Sequence, residues 1–585
     1  MWRKRGPSTT FASKTSQFTL VMSSSTTTYT SYLLATVTST ITPGDLMPRK
    51  KDTMDELMKN ELGALDVEPQ TSQNYRRVLW EDDKEKKSIL NTLIPRSNLT
   101  INDLCNIKYV KKVGEELRQG QTILEKVGKG HQWRLNSPFV GAGKKLRVGR
   151  GSRSGLTDAL DLEHEDDDED EDEDEDRRGD SMMETDDQSS QQSFRPGKRS
   201  NDNRKTLSEE KRWERLLRNI LYAMRIKAKY SHFNFPFKVV DPRRYWSSEF
   251  STVVVPDPTD SRKPDLVLMD YRMKSRGVGD KDWSDVLTAL EITQSDLNTA
   301  KSDSDNHIPV FLGVATKGYL MFRAQPWRRF VLLFSIAKLK LRAHYLDRSG
   351  MIISAPISIG PDAVRFVDVL NTITLAGLQS LGFDPTIHVC GKLCPAPSVH
   401  DELVPVTEDG LPVTENGLPI TRLPDDARGW VMDDENKVYW ILAVLWKSRA
   451  LFSRGTVCYR VRDLNGREYA LKDCWVDEDN LEHEVNLLRA VEGIQNVVHL
   501  VKFWDVRYNK NRDCTSNIRQ HIKQLPPAPV YYNRIHRRML LTPCGLPVTN
   551  VGSVTELVSV FRDLVVGEFF SYLSKFFVMT DTRSS

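Results

Sequence analysis

A lysine stands where an apolar strand is expected. In REYALKDCW, residues 467–475, Tyr469 and Leu471 alternate with Ala470 and Lys472. That is the period-two pattern of a half-buried strand. An ammonium in such a place must snorkel to water or find an anion. The anion is either a neighbouring carboxylate or a phosphate.

The elements around Lys472 have to position it. Asn465-Gly466 reads as a two-residue hairpin turn just before the strand. Strands are expected over 449–453, 456–462 and 467–475, a helix over 477–491, and further strands over 497–506 and 537–542. A long helix opens at Ser553, boxed with Glu556. Upstream, Thr206 and Glu209 predict a capped helix through Lys227, and apolar strands alternate with helical stretches from Phe237 to Thr386.

Composition divides the chain of 585 residues further. The first 44 residues hold no acid and are rich in Ser and Thr, so 1–52 reads as a disordered tail. Helical periodicity, as over 101–124, predicts a small helical region at 53–140. Residues 141–205 read as a disordered basic and acidic linker, because Glu165–Asp176 is an unbroken run of acids that cannot bury a core. An α/β domain follows at 206–400. Between 404 and 422 the repeat VPVTEDG, LPVTENG, LPITR carries a proline in each copy, which forbids a helix. The spacer it forms is placed at 401–428, and the second folded region at 429–585.

The net charge of +3 gives no argument for nucleic acid, which is not expected as a partner. Seven cysteines read as reduced thiols, and no apolar stretch is long enough to span a bilayer. An intracellular protein, in cytoplasm or nucleus, is expected.

The order hairpin, Y-A-L-K strand, acid-bearing helix, two strands and helix resembles the small lobe of a protein kinase. The segments RKPDLVL (262–268), WSDVLTALEI (283–292), QPWRRFVLLF (325–334), HYLDRSG (344–350) and LGFDPT (381–386) precede ALKDCW in the order seen in the fungal-type protein kinase family. The resemblance covers roughly 205–576. It implies an α+β fold: a mixed α/β N-terminal domain, then a kinase-like small lobe with most of the large lobe missing. It also implies ATP as ligand, with Gly455 at the phosphate loop, Lys472 on the phosphates and Glu484, in LEHEVNLLRAV, as the helix acid that fixes the lysine. RMLLTPCGLPV (538–548) falls where the hinge strand belongs.

The chain departs from that pattern. It contains no H-R-D and no D-F-G string; the nearest fragments, His536-Arg537-Arg538 and Gly382-Phe383-Asp384, belong to other elements. No catalytic residue is therefore assigned. ATP binding is expected to be weak, Mg²⁺ is not expected beside it, and phosphoryl transfer is not expected. The competing readings are a non-catalytic interaction protein and an incomplete copy of an active kinase. The apolar residues of the helix at 553–579 are expected to seek a protein partner.

Two smaller constellations remain. Pro264-Asp265 followed by Glu291-Ile292-Thr293 resembles the core of metal-dependent nucleases, in which two carboxylates on adjacent strands bind Mg²⁺ and a lysine aids the attacking water. Thr293 stands in the lysine's place, and structural acids are the plainer expectation. His388, Cys390, Cys394 and His400 have a spacing that fits no structural zinc pattern, so loop thiols are expected there.

Overall fold

The computed structural model describes residues 208–230, 244–293, 310–390, 424–519 and 531–565 with short gaps, together with segments between 18 and 135. The linker at 141–205, nearly all of the 401–428 spacer and the chain beyond 565 lie outside the described residues.

The fold is α+β, built on two large sheets. The first takes β1 (Val78–Trp80), β2 (Arg244–Ser247), β3 (Leu266–Asp270), β4 (Thr288–Thr293), β5 (Val331–Ala337), β6 (Lys340–Asp347), β7 (Gly350–Ile353) and β8 (Ile357–Ser358). Their order is β1-β7-β6-β5-β4-β3-β2, with β8 on β6. Strands β2, β3 and β4 are successively antiparallel, whereas β5 runs parallel to β4. A parallel neighbour needs a crossover, and α2 (Val310–Ala324) supplies it.

The strands of this sheet are apolar on both faces, as two-sided burial requires. Leu266, Leu268 and Leu290 point to the side of α1 (Glu209–Tyr230) and α3 (Ala363–Leu375). Val267, Met269 and Ala289 point to α2. Helix α1 starts where Lys211 donates its backbone N–H to Ser208 Oγ, two residues later than the Thr206 cap expected from sequence.

The second sheet takes β9 (Ile387–Val389), β10 (Gly429–Met432), β11 (Val438–Lys447), β12 (Val457–Arg462), β13 (Glu468–Asp477), β14 (His499–Asp505) and β15 (Arg534–Thr542), in the order β9-β10-β11-β12-β13-β15-β14. Helix α4 (His483–Ala490) covers one face, with Val485 and Leu488 packed on Cys458, Ala470 and Met539. Between β14 and β15 lies α5 (Thr515–Arg519).

Several expectations need correction. Of 101–124 only Asp103 and Leu104 are helical among the described residues: Lys108–Val113 pairs with Glu116–Thr122, and Leu124–Val127 with Gln132–Leu135. β-branched and aromatic residues override an apparent helical period there. Val78–Trp80, from the same region, joins the first sheet. Within the expected tail, Phe18–Met22 pairs with Ser31–Ala35.

In the second region, Arg462 pairs with Glu468, so the Asn465-Gly466 turn sits in a longer loop, organised by Asp463 Oδ1, which accepts from the Asn465 and Arg467 N–H groups. Residues 449–453 form no strand, because Leu451 and Phe452 leave the second sheet and are buried in the first core, on the α2 side. The helical turn at 477–491 is interrupted: a 3-10 turn (Glu478–Asn480) precedes α4. Among the described residues no helix is long and apolar enough to cross a membrane.

Candidate functional site

Lys472 lies in the middle of β13, opposite Cys458 on β12 and Met539 on β15. Its side chain is 3% exposed, so it does not reach water. Instead Nζ donates to Glu484 Oε1, presented by the first turn of α4. The strand and helix expected from sequence therefore bring these two residues together. Glu482 points elsewhere, towards Arg537.

A third charge completes the group. Arg454 Nη2 donates to Glu484 Oε2 at 2.5 Å. Burial opposes the charge on Glu484, but Lys472 and Arg454 hold its carboxyl down to about 2. Burial also opposes the charge of Arg454, yet Cys474 and Glu484 raise its pKa. Cys458 is pushed up to about 12 by burial, and Cys474 is raised for the same reason. Both thiols stay neutral, so two cations face one carboxylate. Two buried cations drawn to one place suit an anionic ligand. Nothing in the local sequence pointed to Arg454, because its loop carries no regular pattern.

The third predicted site residue, Gly455, ends that loop with φ +53°. Its N–H donates to Ser453 Oγ at 3.2 Å, and a Cβ here would come within 2.5 Å of Arg348 Nε. The loop is held from the first domain. Phe452 N–H donates to Glu61 Oε2, Arg77 Nη1 donates to Phe452 O, and Arg348 Nη1 donates to Leu451 O, at 3.2, 3.4 and 3.4 Å.

A second buried charge cluster joins the two sheets. His536 and Arg538 lie on β15 and are 3% and 0% exposed. His536 Nε2 and Asp473 Oδ1 are 2.6 Å apart, and its Nδ1 lies 3.3 Å from Asp513 Oδ2. Arg538 donates to Asp473 Oδ2 at 2.9 Å and to Asp384 Oδ2 at 2.6 Å. Arg329 reaches Asp513 with two bonds, at 2.8 and 2.6 Å. The fragments nearest to H-R-D and D-F-G thus meet each other, as partners in a structural charge cluster. Asp384, Asp473 and His536 lie close enough together to hold a metal, but the guanidinium of Arg538 already bridges the two carboxylates.

The smaller constellations divide. Asp265, immediately before β3, and Glu291 on β4 do come together; burial and the Glu291 charge push Asp265 up to about 7. His388 Nε2 lies 3.5 Å from Cys390 Sγ, while Cys394 and His400 lie outside the described residues.

The sequence model of a family described as fungal protein kinase matches residues 263–574. No curated protein matches the chain, and no solved structure does.

Proposed function

Because the chain belongs to the fungal protein kinase family, we propose that the sheet carrying Lys472 binds the phosphates of ATP, and that these 585 residues by themselves transfer no phosphoryl group. The observation that carries the first half is the buried trio in which Lys472 and Arg454 both contact Glu484. A strand lysine fixed by a helix glutamate is the arrangement that active kinases use for the α- and β-phosphates. An entering phosphate would take the place that only one carboxylate now fills. The second half rests on the sequence, which holds neither an H-R-D nor a D-F-G string. Without the acid that holds the metal ions, ATP binding gains little from Mg²⁺.

Calorimetry with ATP tests the binding. The expected result is weak binding, nearly equal with and without Mg²⁺, that Lys472→Ala weakens at least about 10-fold, the loss of roughly 1.4 kcal/mol. A strong gain with Mg²⁺ would show that another acid holds the metal. In an assay with labelled ATP and mixed protein substrates no transfer is expected. Phosphorylation that disappears in Lys472→Ala would overturn the second half.

A second reading, a docking role, is favoured by one observation. Residues 554–563 are helical, with Glu556 N–H donating to Ser553 Oγ and Gly552 N–H to Glu556 Oε2. Val554, Val558 and Phe561 are 78%, 62% and 55% exposed. Their spacing puts them on one face, an apolar stripe suited to a protein partner or a second copy. Val560 is buried and faces away. On gel filtration, the double variant Val558→Glu, Phe561→Glu of the full chain is expected to shift self-associated material to monomer. An unchanged profile would remove self-association from this reading.

A further inference from the structure

We propose that Asp265, Glu291 and Lys317 form a second active centre, a divalent-cation site that hydrolyses phosphodiester bonds in nucleic acid. The centre lies in the first sheet and does not depend on the Lys472 site. Strand β3 pairs with β4 so that Leu266 faces Leu290. One step further along, Asp265 stands opposite Glu291. Alternation then decides the face. Ala289, two residues before Glu291, belongs to the core on the α2 side, so Glu291 points to α2 as well.

From the middle of α2 comes the amino group that spacing alone places at Thr293. Lys317 is 6% exposed and its Nζ lies 2.6 Å from Glu291 Oε2. The helix can lie this close to the sheet because its next residue is glycine. A Cβ on Gly318 would come within 3.0 Å of Leu333 Cδ1 and Leu346 Cδ2.

Each carboxylate has one oxygen fixed and one left over. The Ile292 N–H donates to Asp265 Oδ2 at 2.7 Å, which sets the plane of that carboxylate and leaves Oδ1. Glu291 Oε2 is taken by Lys317. Glu291 Oε1 is fully buried and has no hydrogen-bond partner among the described residues. A buried carboxylate oxygen without a donor is costly, and a cation in that place removes the cost. Charge gives the same answer. Two carboxylates share one ammonium, and among the described residues Asp265 makes no ion pair of its own. Two carboxylates beside one ammonium favour a cation between them.

Oxygen-only ligands select a hard divalent cation, Mg²⁺ or Mn²⁺. The chemistry follows from what stands around it. Among the described residues no serine, cysteine or histidine is bonded to Asp265, Glu291 or Lys317, so the nucleophile is water. The cation binds that water and a non-bridging phosphate oxygen together, and lowers the pKa of the water. The hydroxide attacks phosphorus as the water proton leaves to solvent. The bond from phosphorus to the leaving oxygen breaks, and that oxygen takes a proton from solvent. One water is consumed, and an alcohol and a phosphomonoester form without oxidation or reduction. Lys317, beside the cation, stabilises the charge that develops on phosphorus. A phosphodiester is the fitting substrate class, because its single negative charge and inert ester bond are what one cation and one ammonium can neutralise and activate.

The test uses the full chain, supercoiled plasmid DNA and single-stranded RNA, with Mn²⁺ binding followed separately by calorimetry. The wild type is expected to cleave at least one of the two nucleic acids, only with Mg²⁺ or Mn²⁺ present. Glu291→Gln and Asp265→Asn are expected to lower the rate at least about 100-fold and to weaken Mn²⁺ binding at least about 10-fold. Lys317→Met is expected to keep Mn²⁺ binding while losing the rate, a split that a purely structural lysine would not give. Should circular dichroism show one acid variant unfolded, the other acid variant and Lys317→Met decide. Cleavage of neither nucleic acid, cleavage that persists in Glu291→Gln prepared in the same way, or Mn²⁺ affinity equal in wild type and both acid variants would overturn the proposal.

Discussion

Arg538→Ala is expected to lower stability by about 3–5 kcal/mol, the cost of leaving buried charges without their partner. The side chain is fully buried and ties two parts of the second sheet: its Nε serves Asp473 on β13, and its Nη2 serves Asp384, which precedes β9. Removal leaves both carboxylates in place with no guanidinium between them. Arg538→Lys should recover only part of the loss, because a single ammonium cannot reproduce two planar contacts in different directions. Urea unfolding followed by tryptophan fluorescence measures both variants. A loss below about 1 kcal/mol for Arg538→Ala, the range of exposed ion pairs, would show that the cluster is solvated and loosely held.

Stability is also expected to fall as pH rises from about 6.5 to 9. Burial opposes the charge of His536, but Asp473, and then Asp513 and Asp384, raise its pKa to about 9. The ordinary value of 6.5 applies in the unfolded chain. A group whose folded pKa is raised stabilises fully below the unfolded pKa and loses that contribution through the folded one. The size is on the order of 3 kcal/mol for a shift of this extent. Unprotonated, His536 would leave Arg538 and Arg329 facing three carboxylates, whereas the protonated ring balances them. The urea midpoint of wild type should therefore drop between pH 6 and pH 9.5, and that of His536→Gln should change much less. Equal slopes in the two proteins would assign the pH dependence to other groups.

What could be read from the sequence was local. The β13 strand shows itself by alternation and the α4 helix by its apolar stripe, so Lys472 and Glu484 could be named and the structure places them in contact. Arg454 could not, because its contact with Glu484 depends on a loop whose course is set by another domain. Leu451 and Phe452 looked like strand residues for the same reason: their apolar character was visible, but not which core would take them. Lys317 reads as one polar residue in an apolar helix. Only the crossover that lays α2 on β4 and β5 brings it to Glu291. The 101–124 segment misled because a short apolar run fits both periods, and pairing with a neighbour decides between them.

The burial of Phe452 against Glu61 and Arg77 also sets an order of assembly. These partners are separated by 391 and 375 residues. A nascent polypeptide emerging from the ribosome completes the first sheet at β8 long before residue 452 appears, and until then that core has an open socket beside α2. The contact is of the long-range kind that slows folding, because a very large loop must close before it is rewarded. Synthesis therefore passes through a stage in which an N-terminal body with an exposed apolar hole waits for its last two residues, and a chaperone that shields such holes has its longest opportunity there.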